Sequence, residues 1–130
     1  MAKGKHTQML FASHDAMATM PPESVTKFAA QLEAYGIGTV VVDANVDCGE
    51  QVEDALRAQN RIVGFIGRSE KDIPGLIAAT RNGGLAICLG GPASQWCARE
   101  EGRSLPLGRC LEVRQPSDAI RAIQSAIGGF

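Results

Sequence analysis

Polar and glycine residues gather directly after the apolar runs of this chain, and several of them are residue types that do chemistry. An imidazole can bind a metal or transfer a proton, because it titrates near neutral pH. Carboxylates can bind ribose hydroxyls or a divalent ion, and an arginine presents a fork of donors to a phosphate. A glycine pair allows a ligand to approach the backbone closely. The candidate binding residues are Ser13, His14, Asp15, Asp43, Arg68, Ser69, Gly90 and Gly91.

Each of these candidates also has an ordinary structural interpretation. His14 is more simply a loop histidine with one hydrogen bond, because its spacing fixes no carboxylate that would orient the ring. Asp15 and Asp43 follow apolar runs, where aspartate is a common turn former. Arg68 can be a solvated side chain, and Gly90-Gly91 is typical of a tight turn. The patterns therefore assign no catalytic residue and no metal ligand.

Five apolar or β-branched runs alternate with amphipathic stretches, which is typical of buried strands that alternate with helices. The strand-like runs are Gln8 to Ser13, Gly38 to Ala44, Arg61 to Arg68, Leu85 to Gly91 and Arg109 to Val113. Helical spacing is found between Pro22 and Gly36, from Glu50 to Ala58, from Pro74 to Thr80 and from Pro116 onward. A short helix around Trp96, followed by a loop, is the expectation for the segment from Ala93 to Leu107.

This alternation predicts one α/β domain over residues 1–130, built as a three-layer sandwich around a five-stranded parallel sheet. A crossover helix returns the chain to the same end of the sheet, so successive strands run in parallel. Ligands of such open sheets bind outside the carboxyl ends of the strands, where neighbouring loops separate. The candidate residues all belong to these loops.

Composition excludes several classes of function. The net charge of −1 offers no basic field for nucleic acid or for an anionic membrane. No apolar run approaches the roughly 20 residues that span a bilayer, and the segment from Met1 to His6 is too polar for a signal peptide. We therefore expect a cytoplasmic protein whose partner is a small molecule, and the sequence leaves open a homodimer or a larger partner subunit.

The four cysteines are scattered, with no Cys-x-x-Cys pair and no histidine at zinc-finger spacing, so spacing predicts no zinc site. Cys88 lies in an apolar run and is interpreted as a small buried hydrophobic residue. Cys97 and Cys110 are expected to be reduced thiols. Nothing near them in sequence lowers a thiol pKa, which a catalytic cysteine requires.

Over nearly its whole length the chain resembles the cobalamin-binding domain of adenosylcobalamin-dependent mutases and methyltransferases. The resemblance depends on His14, Glu50-Gln51-Val52, Ala55-Leu56, Ile62-Val63-Gly64, Leu76-Ile77 and Gly90-Gly91. It implies a flavodoxin-like, Rossmann-like sheet with strand order 2-1-3-4-5, and cobalamin as the cofactor. That family's first loop reads Asp-x-His-x-x-Gly, with the histidine on cobalt. Here the Asp and Gly positions are Ala12 and Met17.

The leading functional prediction is a noncatalytic small-ligand-binding domain for a cofactor or nucleotide-like molecule. Neither a dinucleotide G-x-G-x-x-G fingerprint nor a triphosphate-binding P-loop is present. A first alternative is a nucleoside or nucleotide glycosidic-bond hydrolase or transferase that uses Asp15, Asp43 or Glu100 for acid/base chemistry. A second alternative is a regulatory protein-interaction module similar to receiver-type domains, although no acidic pair with a phosphoacceptor and a late-strand lysine is evident. Fold analogy does not choose among these classes.

Overall fold

The structure is a computed structural model that describes residues 8–42, 47–100, 109–114 and 116–126. For residues 100, 109, 116, 117 and 126 it describes the backbone only. The strands are β1 (Gln8–Ser13), β2 (Ile37–Val42), β3 (Arg61–Gly67), β4 (Leu85–Cys88) and β5 (Arg109–Glu112). The helices are α1 (His14–Met17), α2 (Pro22–Glu33), α3 (Cys48–Arg57), α4 (Ile73–Arg81), α5 (Gly91–Glu100) and α6 (Pro116–Ala126). A 3₁₀ turn, Glu70–Asp72, precedes α4.

All five strands pair in parallel, in the order β2-β1-β3-β4-β5. The predicted fold class and strand order are therefore confirmed, and the fold is flavodoxin-like. The register aligns the carboxyl ends of the strands, because Gly67 pairs with Cys88 and Cys88 pairs with Glu112. Ser13 at the end of β1 pairs with Val42 at the end of β2. The loops after the strands consequently meet at one edge of the sheet.

Two apolar cores cover the two faces of the sheet, as the continuous apolar runs predict. Successive strand residues point to opposite faces, so Leu10 and Phe11 enter different cores. One core combines the sheet with α2 and α6 and includes Leu10, Ala12, Phe28, Leu32, Ile66, Ile87 and Ile123. The other core combines it with α3, α4 and α5 and includes Phe11, Val52, Phe65, Leu76, Ala86, Cys88 and Trp96. The result is the expected three-layer sandwich.

The structure differs from the sequence-based expectation in two helices. The segment after β1 was expected to be a loop, but Ser13 caps a short helix, α1, that begins at His14. The expected short helix around Trp96 is a ten-residue helix, α5, that begins at Gly91 directly after β4. Its apolar residues Ala93, Trp96 and Cys97 are buried against the sheet. The apolar periodicity of this segment is weak and indicated only a short helix. Packing on β4 and β5 stabilises the longer helix that the structure shows.

Cys97 of α5 and Cys110 of β5 form a disulfide, so the expectation that both are reduced thiols is wrong for this structure. Their Cα atoms are 5.9 Å apart, which lies within the usual range for a disulfide. The two residues are 13 positions apart in sequence, and only the packing of α5 beside β5 brings them together. Among the described residues, no helix is long and apolar enough to cross a membrane.

Candidate functional site

The loop after β1 places its three candidate residues in different environments. Ser13 is buried, and its Oγ accepts a hydrogen bond from the backbone N–H of Ala16 at 3.0 Å. Its role is therefore to cap α1. His14 is exposed at the first position of that helix. Asp15 is partly buried, lies 4.0 Å from the Nζ of Lys71 and lines a cavity at the carboxyl edge.

The loop after β3 is fixed by a buried carboxylate that the sequence reasoning did not select. One oxygen of Asp72 accepts hydrogen bonds from the backbone N–H groups of Arg68, at 2.8 Å, and of Ser69, at 2.9 Å. A signal for this interaction was available, because Ser-x-x-Asp is a pattern that begins helices. The carboxylate fixes the backbone from which the Arg68 side chain extends.

The glycine pair after β4 adopts the predicted tight turn. Gly90 and Gly91 have φ angles of +76° and +61°, a left-handed conformation that favours glycine. The N–H of Gly90 donates to the Ser94 hydroxyl at 2.9 Å, and the N–H of Ala93 donates to the Arg68 carbonyl at 3.0 Å. The turn is thus tied both to the start of α5 and to the loop after β3.

Arg68 lines two neighbouring cavities at the carboxyl edge. The larger, of about 690 Å³, is also lined by Ser94, Glu112 and Arg114. The smaller, of about 440 Å³, is also lined by Asp15, Ser69 and Gly91. Sequence reasoning missed Ser94, Glu112 and Arg114, because only the tertiary arrangement places them beside the loop after β3.

The charged groups that line the two cavities belong to four residues. The larger cavity has two guanidinium groups, those of Arg68 and Arg114, and one carboxylate, that of Glu112. The smaller cavity has the guanidinium group of Arg68 and the carboxylate of Asp15. Positive groups therefore outnumber negative ones only in the larger cavity, which is the one equipped to bind a phosphate or carboxylate.

The predicted set of binding residues is brought together only in part. Asp15, Arg68, Ser69, Gly90 and Gly91 lie around the two cavities, whereas Ser13 is engaged in capping. Asp43 lies outside the described residues, as does the side chain of Glu100. Of the three carboxylates considered for acid/base chemistry, only Asp15 is described at this edge, and it lies beside Lys71. The glycosidic-bond alternative therefore stays a prediction.

The two free cysteines are poorly suited to nucleophilic catalysis. Burial, and to a smaller extent the negative charge of Glu112, together raise the pKa of the Cys88 thiol to about 12. Burial also raises the pKa of Cys48, partly offset by the N–H of Gly75, which donates to its sulfur. Because the thiolate is the reactive form, both residues are largely protonated and unreactive near neutral pH.

No protein-family model matches the chain, and no curated protein matches it. Among solved structures, it is similar to a response regulator receiver protein from Sinorhizobium medicae WSM419. The two chains share 15% identity, with a TM-score of 0.49 and coverage of 95% of each chain. At this identity and TM-score, the similarity supports no conclusion about the activity of this chain.

We expect Asp72→Ala to lower the free energy of unfolding by about 1–3 kcal/mol, because two backbone N–H groups lose their acceptor. The measurement is urea denaturation. Asp54→Ala is the matched control, since the Asp54 side chain is 73% exposed and pairs with Arg57 at the surface. The control should change stability by less than about 0.5 kcal/mol. Equal losses in the two variants would contradict the assigned role of Asp72.

The two glycines of the turn should respond differently to alanine. A Cβ on Gly90 meets no atom within 4 Å, so only the left-handed conformation opposes Gly90→Ala, at a cost of about 1–2 kcal/mol. A Cβ on Gly91 would lie 2.9 Å from the Arg68 carbonyl oxygen, which already accepts from Ala93. Gly91→Ala should therefore cost about 1–3 kcal/mol more than Gly90→Ala in urea denaturation. Indistinguishable midpoints would refute this close contact.

Proposed function

We propose that the protein is a noncatalytic binding domain for a small anionic ligand, with the binding site at the carboxyl edge of the sheet. The observation that carries the proposal is the position of Arg68, which lines both cavities on a backbone held by Asp72. Arginine binds phosphate and carboxylate groups through two parallel hydrogen bonds. Nucleotides and phosphorylated cofactors carry such groups.

The surroundings of Arg68 support this class of ligand. Arg114 adds a second guanidinium to the larger cavity. Gly90 leaves open space where any other residue would place a Cβ, so a ligand can contact the backbone at the turn. The site thus combines two guanidinium groups with close backbone approach at one edge.

Titration of the isotopically labelled protein with inorganic phosphate and with AMP, followed by NMR, tests this proposal. We expect saturable shifts at Ser69, Gly90 and their neighbours, and Arg68→Ala should weaken phosphate binding by about tenfold. The loss is limited because Arg68 is exposed and solvent screens its charge. AMP that binds more tightly than phosphate would indicate a nucleotide as the ligand class.

Arg57→Ala is the control for that titration, because Arg57 is an exposed arginine on α3 that pairs with Asp54. It removes the same charge without touching either cavity. The proposal fails if neither anion produces saturable shifts, or if Arg68→Ala and Arg57→Ala weaken binding equally.

Cobalamin is a narrower ligand class, suggested by the resemblance, and we expect it not to bind through His14. The Asp and Gly positions of the family's loop are Ala12 and Met17, and both side chains are buried in the core. The position from which the family's aspartate orients the imidazole is therefore held by a buried alanine, which offers no carboxylate. The absorption spectrum of hydroxocobalamin should be unchanged when the protein is added. A spectral shift that His14→Ala removes would contradict this expectation.

A regulatory interaction module is the second candidate function. The observation that favours it is Val41, a large apolar residue 45% exposed on β2, which is an edge strand of the sheet. This module would not accept a phosphoryl group as receiver domains do, because Arg68 and not a carboxylate follows β3. This candidate predicts self-association or a protein partner and no saturable binding of phosphate or AMP.

A further inference from the structure

Three cysteine sulfurs meet beneath the carboxyl edge, although their spacing in sequence suggests no cluster. Cys88 ends β4, Cys97 lies on α5 and Cys110 lies on β5. Their Sγ atoms all lie within 4.8 Å of one another, and those of Cys88 and Cys110 are 3.8 Å apart. Cys97 and Cys110 form the disulfide described above.

The sheet register and the position of α5 explain this convergence. Cys110 pairs with Ala86, two residues before Cys88, so both cysteines point to the same face of the sheet. Helix α5 covers that face and directs Cys97 toward it, with Trp96 buried beside it. The fourth cysteine, Cys48, is also in this core, but its sulfur lies against the backbone of Lys71 and Gly75.

Three cysteine sulfurs are a ligand set for a thiophilic metal ion, once reduction separates the sulfurs of Cys97 and Cys110. Two thiolates bound to one Zn²⁺ at about 2.3 Å lie about 3.8–4.0 Å apart, close to the Cys88–Cys110 separation. Cys88 and Cys97 are buried, whereas Cys110 is partly exposed on the edge strand β5. The exposed side gives an ion a route of entry and leaves room for water as a fourth ligand.

We propose that reduction of the Cys97–Cys110 disulfide opens a three-thiolate site that binds one divalent thiophilic ion of the Zn²⁺ class. A divalent ion with three thiolates leaves a net charge of −1, whereas a monovalent ion leaves −2 in the same apolar surroundings. Burial disfavours the site with the larger negative charge. The carboxylate of Glu112, which pairs with Cys88 across β4 and β5, disfavours it further by repulsion. In the oxidised protein only Cys88 offers a free thiol, so the site is closed.

The site opens by reduction of the disulfide and is then filled by the metal ion. A water-soluble phosphine reduces the disulfide and is itself oxidised to the phosphine oxide. Water supplies the oxygen of that oxide and the protons of the two new thiols. The incoming ion then displaces the protons of all three thiols, which pass to solvent. Thiol counting by alkylation of the denatured chain should give two free cysteines for the oxidised protein and four after reduction.

Cadmium titration of the full-length protein tests the proposal, because Cd²⁺ is a Zn²⁺ analogue whose thiolate complexes absorb in the ultraviolet. We expect the reduced protein to develop this absorption with saturation at one Cd²⁺ per chain. The oxidised protein should develop none at the same concentrations. Cys88→Ser, Cys97→Ser and Cys110→Ser should each weaken binding by more than about tenfold, since each removes a ligand. Competition with Zn²⁺ should abolish the absorption.

Cys48→Ser is the matched control, because it removes a buried thiol of the same core that lies outside the cluster. It should keep both the stoichiometry and the affinity for Cd²⁺. Far-ultraviolet circular dichroism checks that each serine variant is folded. The proposal is overturned if reduced wild-type protein does not bind Cd²⁺, if binding survives Cys88→Ser, or if the oxidised protein binds equally well. Loss of binding in Cys48→Ser alone would also overturn it.

Discussion

The five strands pair only in parallel, and this constraint organises the rest of the molecule. Parallel pairing requires a crossover between successive strands, so helices cover both faces and both faces become apolar. It also aligns the carboxyl ends of all strands, which gathers the loops after β1, β3 and β4 at one edge. The candidate binding site and the cysteine cluster both result from this arrangement. The polar residues lie above the strand ends, and the cysteines lie just below them.

The backbone of the candidate site is rigid where a ligand would contact it. Asp72 accepts two N–H groups of the loop after β3, and the carbonyl of Arg68 accepts from the first turn of α5. The loops after β3 and β4 therefore form one hydrogen-bonded unit. The Arg68 side chain is exposed and extends from this fixed backbone, an arrangement that suits recognition of a charged group.

Helix α5 connects the two inferred sites. It begins at Gly91 in the turn that borders both cavities, and its buried face carries Cys97. Cys88 lies immediately before Leu89, which lines the larger cavity. The disulfide joins α5 to the edge strand β5, whose last residue, Glu112, also lines that cavity. Helix α5 and strand β5 therefore both carry a cysteine of the disulfide and line the cavities at the carboxyl edge.

The sequence by itself determined the fold class and the edge at which polar residues meet, and its resemblance to a known family implied the strand order. Continuous apolar runs such as Leu85 to Cys88 require cover on both faces, and the turn at Gly90-Gly91 requires residues that tolerate positive φ. The tertiary structure alone decided which residues share a site. Ser13 was selected for its place after a strand but caps α1, whereas Asp72 and Arg114 were missed. The cysteines were misjudged for the same physical reason: side-chain contacts between α5, β4 and β5 depend on sheet register and helix packing, which local sequence spacing does not encode.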